Sequence, residues 1–353
     1  MKKTITILAA LSLAFAAFAN PIPPQAGVKE DRPLTEEQAS AVFAATPSKI
    51  FVDAPLRKVL VFSKTTTFRH YDGIAGGNAM FKMLGEKTKK FEFTFTEDVS
   101  FFESPEKLAP FDCIVFNNTT GQFFEENRED MKKLSKEEVE KVKQRDALCR
   151  KNLLAYVASG KGAFGFHAAS DAYLNSDLYP DMRELFGGEF SGHPWTRESL
   201  VTALVEDKAS PLVKGLWKTG EFQIYDEIYQ MGKSYDRDKC RVILRMDADK
   251  SPLKTDKQRS HLKRLDGDYA LSWVSKYGKG RYFYGAFGHN KEVFMMPEVN
   301  EFYMRGLQYA CGDLKLDDSP SGKASAPKVS AEFKALVQDA LNGKFKEADK
   351  KKK

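Results

Sequence analysis

Cysteine is scarce in this sequence, and its spacing argues against several functions. The chain has four cysteines in 353 residues, and none of them forms a CxxC or CxxCH motif. Zinc-ribbon, thioredoxin-like and c-type haem proteins are therefore disfavoured. Cys113 lies inside an apolar, strand-like run and is expected to be a buried free thiol. Export would permit disulfides, but the sequence does not choose among the three full pairings that four cysteines allow.

Long apolar runs are also lacking beyond the N-terminus. Two lysines precede an uncharged apolar run at residues 5–18, and AFA at 17–19 has the small-x-small form that signal peptidase accepts. This pattern predicts a signal peptide over residues 1–19 and export to the periplasm or the medium. The run is shorter than the roughly 20 residues that span a bilayer, so a retained anchor is the less favoured alternative.

No basic stripe interleaved with aromatic residues is present, so nucleic acid is not an expected partner. The formal net charge is +6, and loss of the two signal-peptide lysines leaves +4. Much of that charge lies in the four consecutive lysines at 350–353, which are typical of a solvated end. Apolar residues make up 42% of the chain, enough for a sizeable core. No membrane span is expected in the mature chain, and a homo-oligomer is left open.

The pattern between residues 58 and 166 alternates apolar strands with helices, which predicts an α/β fold with a mostly parallel sheet and helices on both faces. A capping box formed by Ser135 and Glu138 begins the longest helix. The second half adds strands and a hairpin turning at residues 278–280. The predicted strands cover 59–62, 91–96, 114–116, 163–166, 199–206, 221–225, 241–246, 269–277 and 281–287, and the helices cover 73–84, 135–158 and 298–310.

The predicted organisation has four parts. A signal peptide at 1–19 is followed by a leader at 20–56, in which Thr35 and Gln38 form a capping box. The main domain covers 57–313. Residues 314–353 are expected to form a polar linker and basic tail that contribute little to the core, with no more than two helical turns at 331–341.

Histidine is scarce as well, which makes its placement informative. Four of the five histidines stand in predicted loops: His70, His167, His193 and His289. His70 and His167 follow apolar strands, as does the polar run at 117–121. Ligands of open parallel sheets bind beyond the carboxyl ends of the strands. We therefore expect one cleft that contains these histidines together with Asn117 and Thr119, although any single histidine could have a purely structural role.

Short motifs follow one another along the chain: VFSK at 61–64, FRH at 68–70, TED at 96–98, FNNTTG at 116–121, FHAASD at 166–171, SGHP at 191–194, DEIY at 226–229, GR at 280–281 and GH at 288–289. In this order and spacing they resemble the ThuA-like (trehalose utilisation) family over roughly residues 57–313. The resemblance implies a flavodoxin-like, class I glutamine-amidotransferase-like fold with an added β-hairpin. It also implies a role in carbohydrate catabolism, with a trehalose-type sugar or an oxidised glycoside as ligand.

One departure from the amidotransferases is decisive. Those enzymes place a nucleophilic cysteine on the sharp turn after a central strand, and here that turn reads Phe166-His167-Ala168. Thiolate attack on an amide needs the sulfur, so amidotransferase activity is rejected. Ser170 follows shortly and is expected to cap a helix.

Two functions remain for a histidine-rich cleft at the strand ends: general acid/base catalysis on a sugar, or binding of a divalent metal such as zinc or manganese. We expect His167 and Glu227 to be catalytic. Asp226 precedes Glu227 at the end of a strand, where the side chains of adjacent residues point to opposite faces, so only one of the two can face the site. The alternative role for this acidic pair is an ion pair with an arginine. No HxH or HExxH motif occurs, so metal ligands would have to come from separate loops. His70, His193 and His289 form the expected metal set.

The substrate is expected to contact several polar and aromatic side chains. Trp195, Tyr229 and Trp273 are candidate stacking platforms for a sugar ring, although core packing is the commoner role of such residues. A non-catalytic carbohydrate-binding protein is the alternative to an enzyme, and a docking scaffold is a third. The full substrate-binding set is His70, Asn117, Thr119, Thr120, Asp171, His193, Trp195 and His289.

Overall fold

A computed structural model describes residues 21–24 and 33–345, so the predicted signal peptide lies outside the described residues. Short 3₁₀ turns at Val99–Phe102, His167–Asp171, Lys291–Met295 and Lys323–Ser325 complete the elements. The strands are β1 (Arg57–Phe62), β2 (Phe91–Thr96), β3 (Cys113–Asn117), β4 (Gly162–Phe166), β5 (Leu200–Val205), β6 (Glu221–Tyr225), β7 (Arg241–Asp247), β8 (Ala270–Tyr277) and β9 (Gly280–Gly285). The helices are α1 (Glu36–Ala45), α2 (Tyr71–Thr88), α3 (Pro105–Leu108), α4 (Arg128–Met131), α5 (Lys136–Ala158), α6 (Pro180–Phe186), α7 (Asp256–Ser260), α8 (Pro297–Cys311) and α9 (Ala331–Leu341).

Within the described residues the strands form one nine-stranded mixed sheet in the order β2-β1-β3-β4-β9-β8-β7-β5-β6. The first five strands in this order are parallel to one another. The remaining neighbours pair antiparallel. The fold is therefore mixed α/β with a parallel core, and each predicted strand is present.

The expected hairpin is confirmed, because β8 and β9 pair antiparallel around residues 278–279. It is not simply added at the edge of the sheet, since β9 also pairs in parallel with β4 in the middle. The sequence of β9, GRYFYG, explains this position, because a strand with apolar residues on both faces is stable where both faces are covered. Its last four residues are all buried. β9 therefore joins the parallel core to an antiparallel extension.

Aromatic side chains pack helices against the two faces of the core. The ring of Phe164 in β4 lies 6.0 Å from Phe81 of α2 and 5.7 Å from Tyr303 of α8. Phe116 in β3 meets Phe186 of α6 edge-on at 5.2 Å. Truncating a buried phenylalanine to alanine costs about 3–5 kcal/mol, so these contacts fix the strand ends that carry the polar loops.

The expected capping boxes are confirmed at both helices. Thr35 and Gln38 cap α1, and Ser135 and Glu138 cap α5. α2 begins at Tyr71, two residues earlier than predicted, with His70 at the N-cap position. Val42 of α1 is fully buried, so this part of the leader belongs to the core.

The C-terminal expectation is wrong for α9, which makes three turns and packs on the domain. Phe333 is only 6% exposed and Val337 is buried. The Phe333 ring lies 6.0 Å from that of Tyr269, and Ser330 binds the Asp249 carboxylate through its amide (3.1 Å) and hydroxyl (2.5 Å). Because Phe333, Leu336, Val337 and Ala340 recur at helical spacing, one face of α9 is apolar.

All four cysteines are buried free thiols, as expected for Cys113. Among the helices of residues 21–24 and 33–345, none combines the length and the apolar character needed to cross a bilayer.

Candidate functional site

Four side chains from separate loops converge beyond the carboxyl ends of the parallel strands. His70 follows β1, His167 follows β4, His289 follows β9, and Glu227 follows β6. One ligand atom of each lies within 4.8 Å of the others, and all four residues are buried. We call this group the His–Glu centre.

The shortest distances within the His–Glu centre involve the Oε2 atom of Glu227. His289 Nδ1 lies 3.1 Å from this oxygen, His167 Nε2 lies 3.5 Å away, and His70 Nε2 lies 4.0 Å away. His289 Nδ1 is also 3.3 Å from His167 Nε2. The three imidazoles and the carboxylate thus direct their polar atoms at one small volume.

The backbone and a carbonyl fix the direction of the His167 ring. His167 has a φ of 44°, a left-handed conformation that is unusual for a residue other than glycine. Its Nδ1 donates a hydrogen bond to the carbonyl oxygen of Ala286 at 3.1 Å. Nε2, the other ring nitrogen, is therefore the one that faces Glu227. Ser170 does not cap a helix, because its hydroxyl lies inside this turn and donates to the His167 carbonyl at 3.2 Å.

Asp226 organises the loop that presents His289. Its Oδ2 accepts the amide of Gly288 at 2.7 Å and that of His289 at 3.3 Å, and its Oδ1 accepts the amide of Asn290 at 2.9 Å. Successive residues of an extended chain face opposite ways, so Glu227 turns to the histidines while Asp226 turns to the 288–290 backbone.

Burial and mutual proximity set the charges of the centre. Burial lowers the pKa of His70 well below 6.5, and the neighbouring His167 and His289 lower it further. Burial alone would raise the pKa of Glu227, but the charges and hydrogen bonds of His289 and His167 outweigh it and hold that pKa well below 4.5. At neutral pH the centre therefore contains an ionised carboxylate and a neutral His70.

Tyr229 closes one side of the His–Glu centre. Its hydroxyl lies 3.2 Å from His70 Nε2, and its ring lies 4.5 Å from that of His167. Burial raises the pKa of Tyr229 well above 10, and the charge of Glu227 raises it further. The hydroxyl stays protonated and can donate to His70. Tyr229 is thus a wall of the centre and lacks the open face that sugar stacking needs.

The donor atoms fit a divalent transition metal. Zinc bonds of 2.0–2.1 Å in a tetrahedron place ligand atoms about 3.3 Å apart. The distances between Glu227 Oε2, His289 Nδ1 and His167 Nε2 are close to this value, since they lie between 3.1 and 3.5 Å. Imidazole nitrogens and a carboxylate oxygen suit zinc, manganese or iron. The set differs from the expected one, since His167 and Glu227 join His70 and His289.

His193 lies at the margin of the centre. Its Nδ1 is 3.4 Å from Oε1 of Glu227, the oxygen that points away from the other histidines, and its side chain is 38% exposed. The fifth histidine, His261, meets the His193 ring edge-on at 5.6 Å. His193 therefore joins the buried Glu227 to the protein surface.

Two of the expected substrate-binding residues are engaged within the fold. The side-chain amide of Asn117 donates to Asn78 at 2.9 Å and to the Ile74 carbonyl at 3.1 Å, which ties β3 to α2. The Thr120 hydroxyl donates to the Phe68 carbonyl at 2.8 Å. Thr119 differs, because its buried hydroxyl has no hydrogen-bond partner within the described residues.

Asp171 ends the turn that begins at His167. Burial raises its pKa to about 7, the Arg183 charge opposes the rise, and the Glu227 charge adds to it. A carboxyl group that titrates near neutrality can either give or take a proton. Asp171 is therefore an acid/base candidate as well as a binding residue.

Trp195 and Trp273 were candidate stacking platforms, with core packing as the commoner role, and both side chains pack in the core. Trp195 is fully buried, and its indole donates to the Ser251 carbonyl at 2.8 Å. Trp273 is fully buried and stacks on Tyr284 at 4.1 Å. Both lie in the apolar body of the sheet, where a large aromatic ring gains most from burial.

Sequence reasoning missed Phe68, which is 57% exposed and packs edge-on against His70 at 4.7 Å. An exposed aromatic ring beside a polar centre offers a face to a sugar. Its neighbours in the FRH segment could have drawn attention to it. Asp226 was left undecided, and His261 was missed because it lies in a polar stretch without a motif.

The fold and the site together define an α/β protein with a buried histidine–carboxylate centre at the carboxyl ends of a parallel sheet. The family model for ThuA, trehalose utilisation, matches residues 58–310. The chain belongs to the ThuA family.

Solved structures with a similar fold were also found. A ThuA-like protein from Bacteroides uniformis aligns with a TM-score of 0.53 at 20% identity, covering 74% of this chain and 93% of that one. A ThuA-like protein from Parabacteroides merdae aligns with a TM-score of 0.46 at 15% identity, covering 76% and 96%. No curated protein matches the sequence.

Proposed function

We propose that this protein is an exported, carbohydrate-active enzyme whose His–Glu centre binds a divalent metal and carries out acid/base chemistry on a sugar. The observation that carries the proposal is the convergence of four ligand atoms within 4.8 Å in a buried site. Purely structural histidines seldom direct several ring nitrogens at one carboxylate oxygen, since buried polar atoms are usually satisfied one by one.

The protonation states support metal binding. A metal needs neutral imidazoles and an ionised carboxylate, and these are the forms that burial favours for His70 and that the histidines favour for Glu227. The Ala286 carbonyl also orients His167 as outer-shell partners of metal ligands do. Zinc or manganese in this position would polarise a carbonyl or hydroxyl oxygen of the substrate.

Protein groups supply the proton transfers. Glu227 contacts the histidines through Oε2 and His193 through Oε1 at 3.4 Å. Because His193 is partly exposed, it can exchange protons with a substrate or with water while Glu227 holds its ring in place. Burial raises the pKa of Asp171 to about 7, so this carboxyl group can also transfer a proton near neutral pH. General acid/base groups contribute about 10² to 10⁴ in rate.

The sugar class rests on the family. Its description as trehalose utilisation favours a trehalose-type or oxidised glycoside, and Phe68 provides an exposed aromatic face next to His70. A flavodoxin-like, class I glutamine-amidotransferase-like core belongs to the proposal. It is supported by the strand order β2-β1-β3-β4-β9, which corresponds to 2-1-3-4-5. The turn after β4 carries His167 in place of a nucleophilic cysteine, so amidotransferase chemistry is not proposed.

The test measures metal content and turnover on the same samples. Protein expressed with zinc or manganese is assayed for bound metal and then incubated in catalytic amounts with trehalose and with oxidised glycosides, and products are followed by mass spectrometry. We expect about one metal per chain and new product from the wild type. Glu227→Gln should lower turnover by at least about a hundredfold.

The matched control is Glu137→Gln, an exposed glutamate in the first turn of α5 that pairs with Lys141. It should retain both metal and turnover. Binding of a sugar without any product from the wild type would favour the non-catalytic carbohydrate-binding protein. Turnover by protein that holds no metal would contradict the metal part of the proposal and would favour acid/base catalysis by His167 and Glu227 without a metal.

A further inference from the structure

A pocket of about 320 Å³ opens beside the His–Glu centre. One wall is the loop at 193–199 and the other is the segment at 254–261, which includes α7. His193 belongs to the pocket and also lies 3.4 Å from Glu227 Oε1. A ligand in this pocket would therefore reach the centre through His193, and the volume lies at the lower end of the range for small-molecule sites.

The two walls are held together by buried and half-buried amides. Gln258 Nε2 donates to the Ser199 hydroxyl at 3.1 Å and lies 3.4 Å from that of Thr196. Gln230 is fully buried, and it binds the His261 carbonyl and accepts the Lys263 amide at 3.0 Å. These cross-links give the pocket a defined shape.

The charges that line the pocket are unbalanced. Lys254 and Lys257 are exposed on one wall. Among the described lining residues, Glu198 is the only carboxylate, and it lies 4.0 Å from Arg197. The neighbouring Asp256 is paired with Arg259 at 2.7 Å. Lys254 and Lys257 can therefore attract an anion, and the Thr196 hydroxyl can donate a hydrogen bond to a sugar hydroxyl.

We infer that this pocket is the substrate-binding site and that it takes a sugar carrying an oxyanion, either a carboxylate or a phosphate. Lys254 and Lys257 bind the oxyanion, the Thr196 hydroxyl binds a sugar hydroxyl, and the sugar reaches Glu227 past His193. The inference rests on the proposed function for its chemistry, because it names the substrate class of the same centre.

The test is calorimetric titration of the full, metal-loaded chain with three probes: glucuronate, glucose 6-phosphate and glucose. We expect at least one anion to bind about tenfold or more tightly than glucose, and we expect this preference to shrink as salt is added. Whichever anion binds more tightly identifies a carboxylate or a phosphate as the preferred group. Equal binding of all three probes, or no binding of either anion, would overturn the inference.

The Lys254→Gln/Lys257→Gln double variant should weaken binding of the preferred anion about tenfold and leave glucose unchanged. Lys132→Gln/Lys133→Gln is the matched control, because these exposed lysines of the α4 region pair with their own neighbours Glu129 and Asp130. An unchanged anion affinity in the pocket variant would also overturn the inference.

Zinc content measured on the same samples separates this inference from the proposed function. Lysine-dependent anion binding by protein that holds no metal would support the pocket and refute the metal centre. Bound metal with no anion preference would support the metal centre and refute the pocket.

Discussion

Replacing His167 and His193 separately by alanine distinguishes two alternative ligand sets for one metal ion. The sequence predicted a ligand set of His70, His193 and His289, whereas the structure groups His70 and His289 with His167 and Glu227. His167 is fully buried with Nε2 3.5 Å from Glu227 Oε2. His193 is 38% exposed, and its Nδ1 lies 3.4 Å from the other carboxylate oxygen of Glu227, Oε1. The two substitutions should therefore differ greatly in their effect on zinc affinity.

The expected magnitude follows from the ligand count. Structural zinc sites with four ligands have apparent binding free energies of about 10–16 kcal/mol, or roughly 3 kcal/mol per ligand. Water can take the vacated position, which recovers part of that loss, so His167→Ala should weaken zinc binding about a hundredfold. His193→Ala removes an outer contact that is partly exposed, and it should weaken zinc binding by about tenfold, the low end for outer-shell partners. Its larger effect should fall on turnover.

Competition against a fluorescent zinc chelator measures both affinities at one pH. Thermal unfolding of the metal-free variants is the control, because His167→Ala leaves a cavity that could unfold the chain. If His193→Ala loses zinc as severely as His167→Ala does, or if His167→Ala keeps wild-type affinity, the assignment of ligands to the His–Glu centre is wrong.

Two further predictions concern stability. The pKa of His70 in the folded chain lies well below 6.5, so the unfolded chain takes up a proton first as pH falls below 6.5. The free energy of unfolding should therefore decline by up to about 1.4 kcal/mol per pH unit because of this group. Melting curves of metal-free His70→Gln between pH 8 and 5 should show a shallower decline than the wild type, and an identical slope would contradict the reasoning. Phe333→Ala should cost about 3 kcal/mol, near the low end for a buried phenylalanine, and lower the melting temperature by roughly 5–10 °C. Lys334→Ala, exposed on the same helix, should change it little, and an unaltered Phe333→Ala protein would show that α9 adds nothing to the core.

Periodicity and strand-end rules predicted much of this fold and part of its centre. His70 and His167 follow short apolar strands, so the rule for parallel sheets could place them together. The position of β9 in the sheet was harder to predict, because an apolar hairpin strand can pair on either side and the sequence does not indicate which strand lies next to it. Its pairing with β4 is what brings His289 to the same place.

Glu227 shows where sequence reasoning ends. β6 lies at the far edge of the sheet, and strand order alone would leave Glu227 distant from His167. The chain returns because Ile228 bridges to Trp195 and because Asp226 binds three amides of residues 288–290. Such long-range contacts have no local pattern. The sequence left the roles of Trp195 and Trp273 open for a related reason: an aromatic residue beside a motif has the same sequence pattern whether it faces a ligand or the core.

The position of β9 also dictates the order in which the chain can assemble. Gly162 of β4 pairs with Arg281 of β9, so the two strands are separated by roughly 120 residues, and closing so long a loop is slow. During synthesis the β1, β2, β3 and β4 segments emerge well before β9, which leaves one side of β4 unpaired. An unpaired apolar strand edge is a template for association between chains. Nascent chains should therefore be most prone to aggregation between the emergence of β4 and that of β9, and dependence on chaperones should be greatest in that interval.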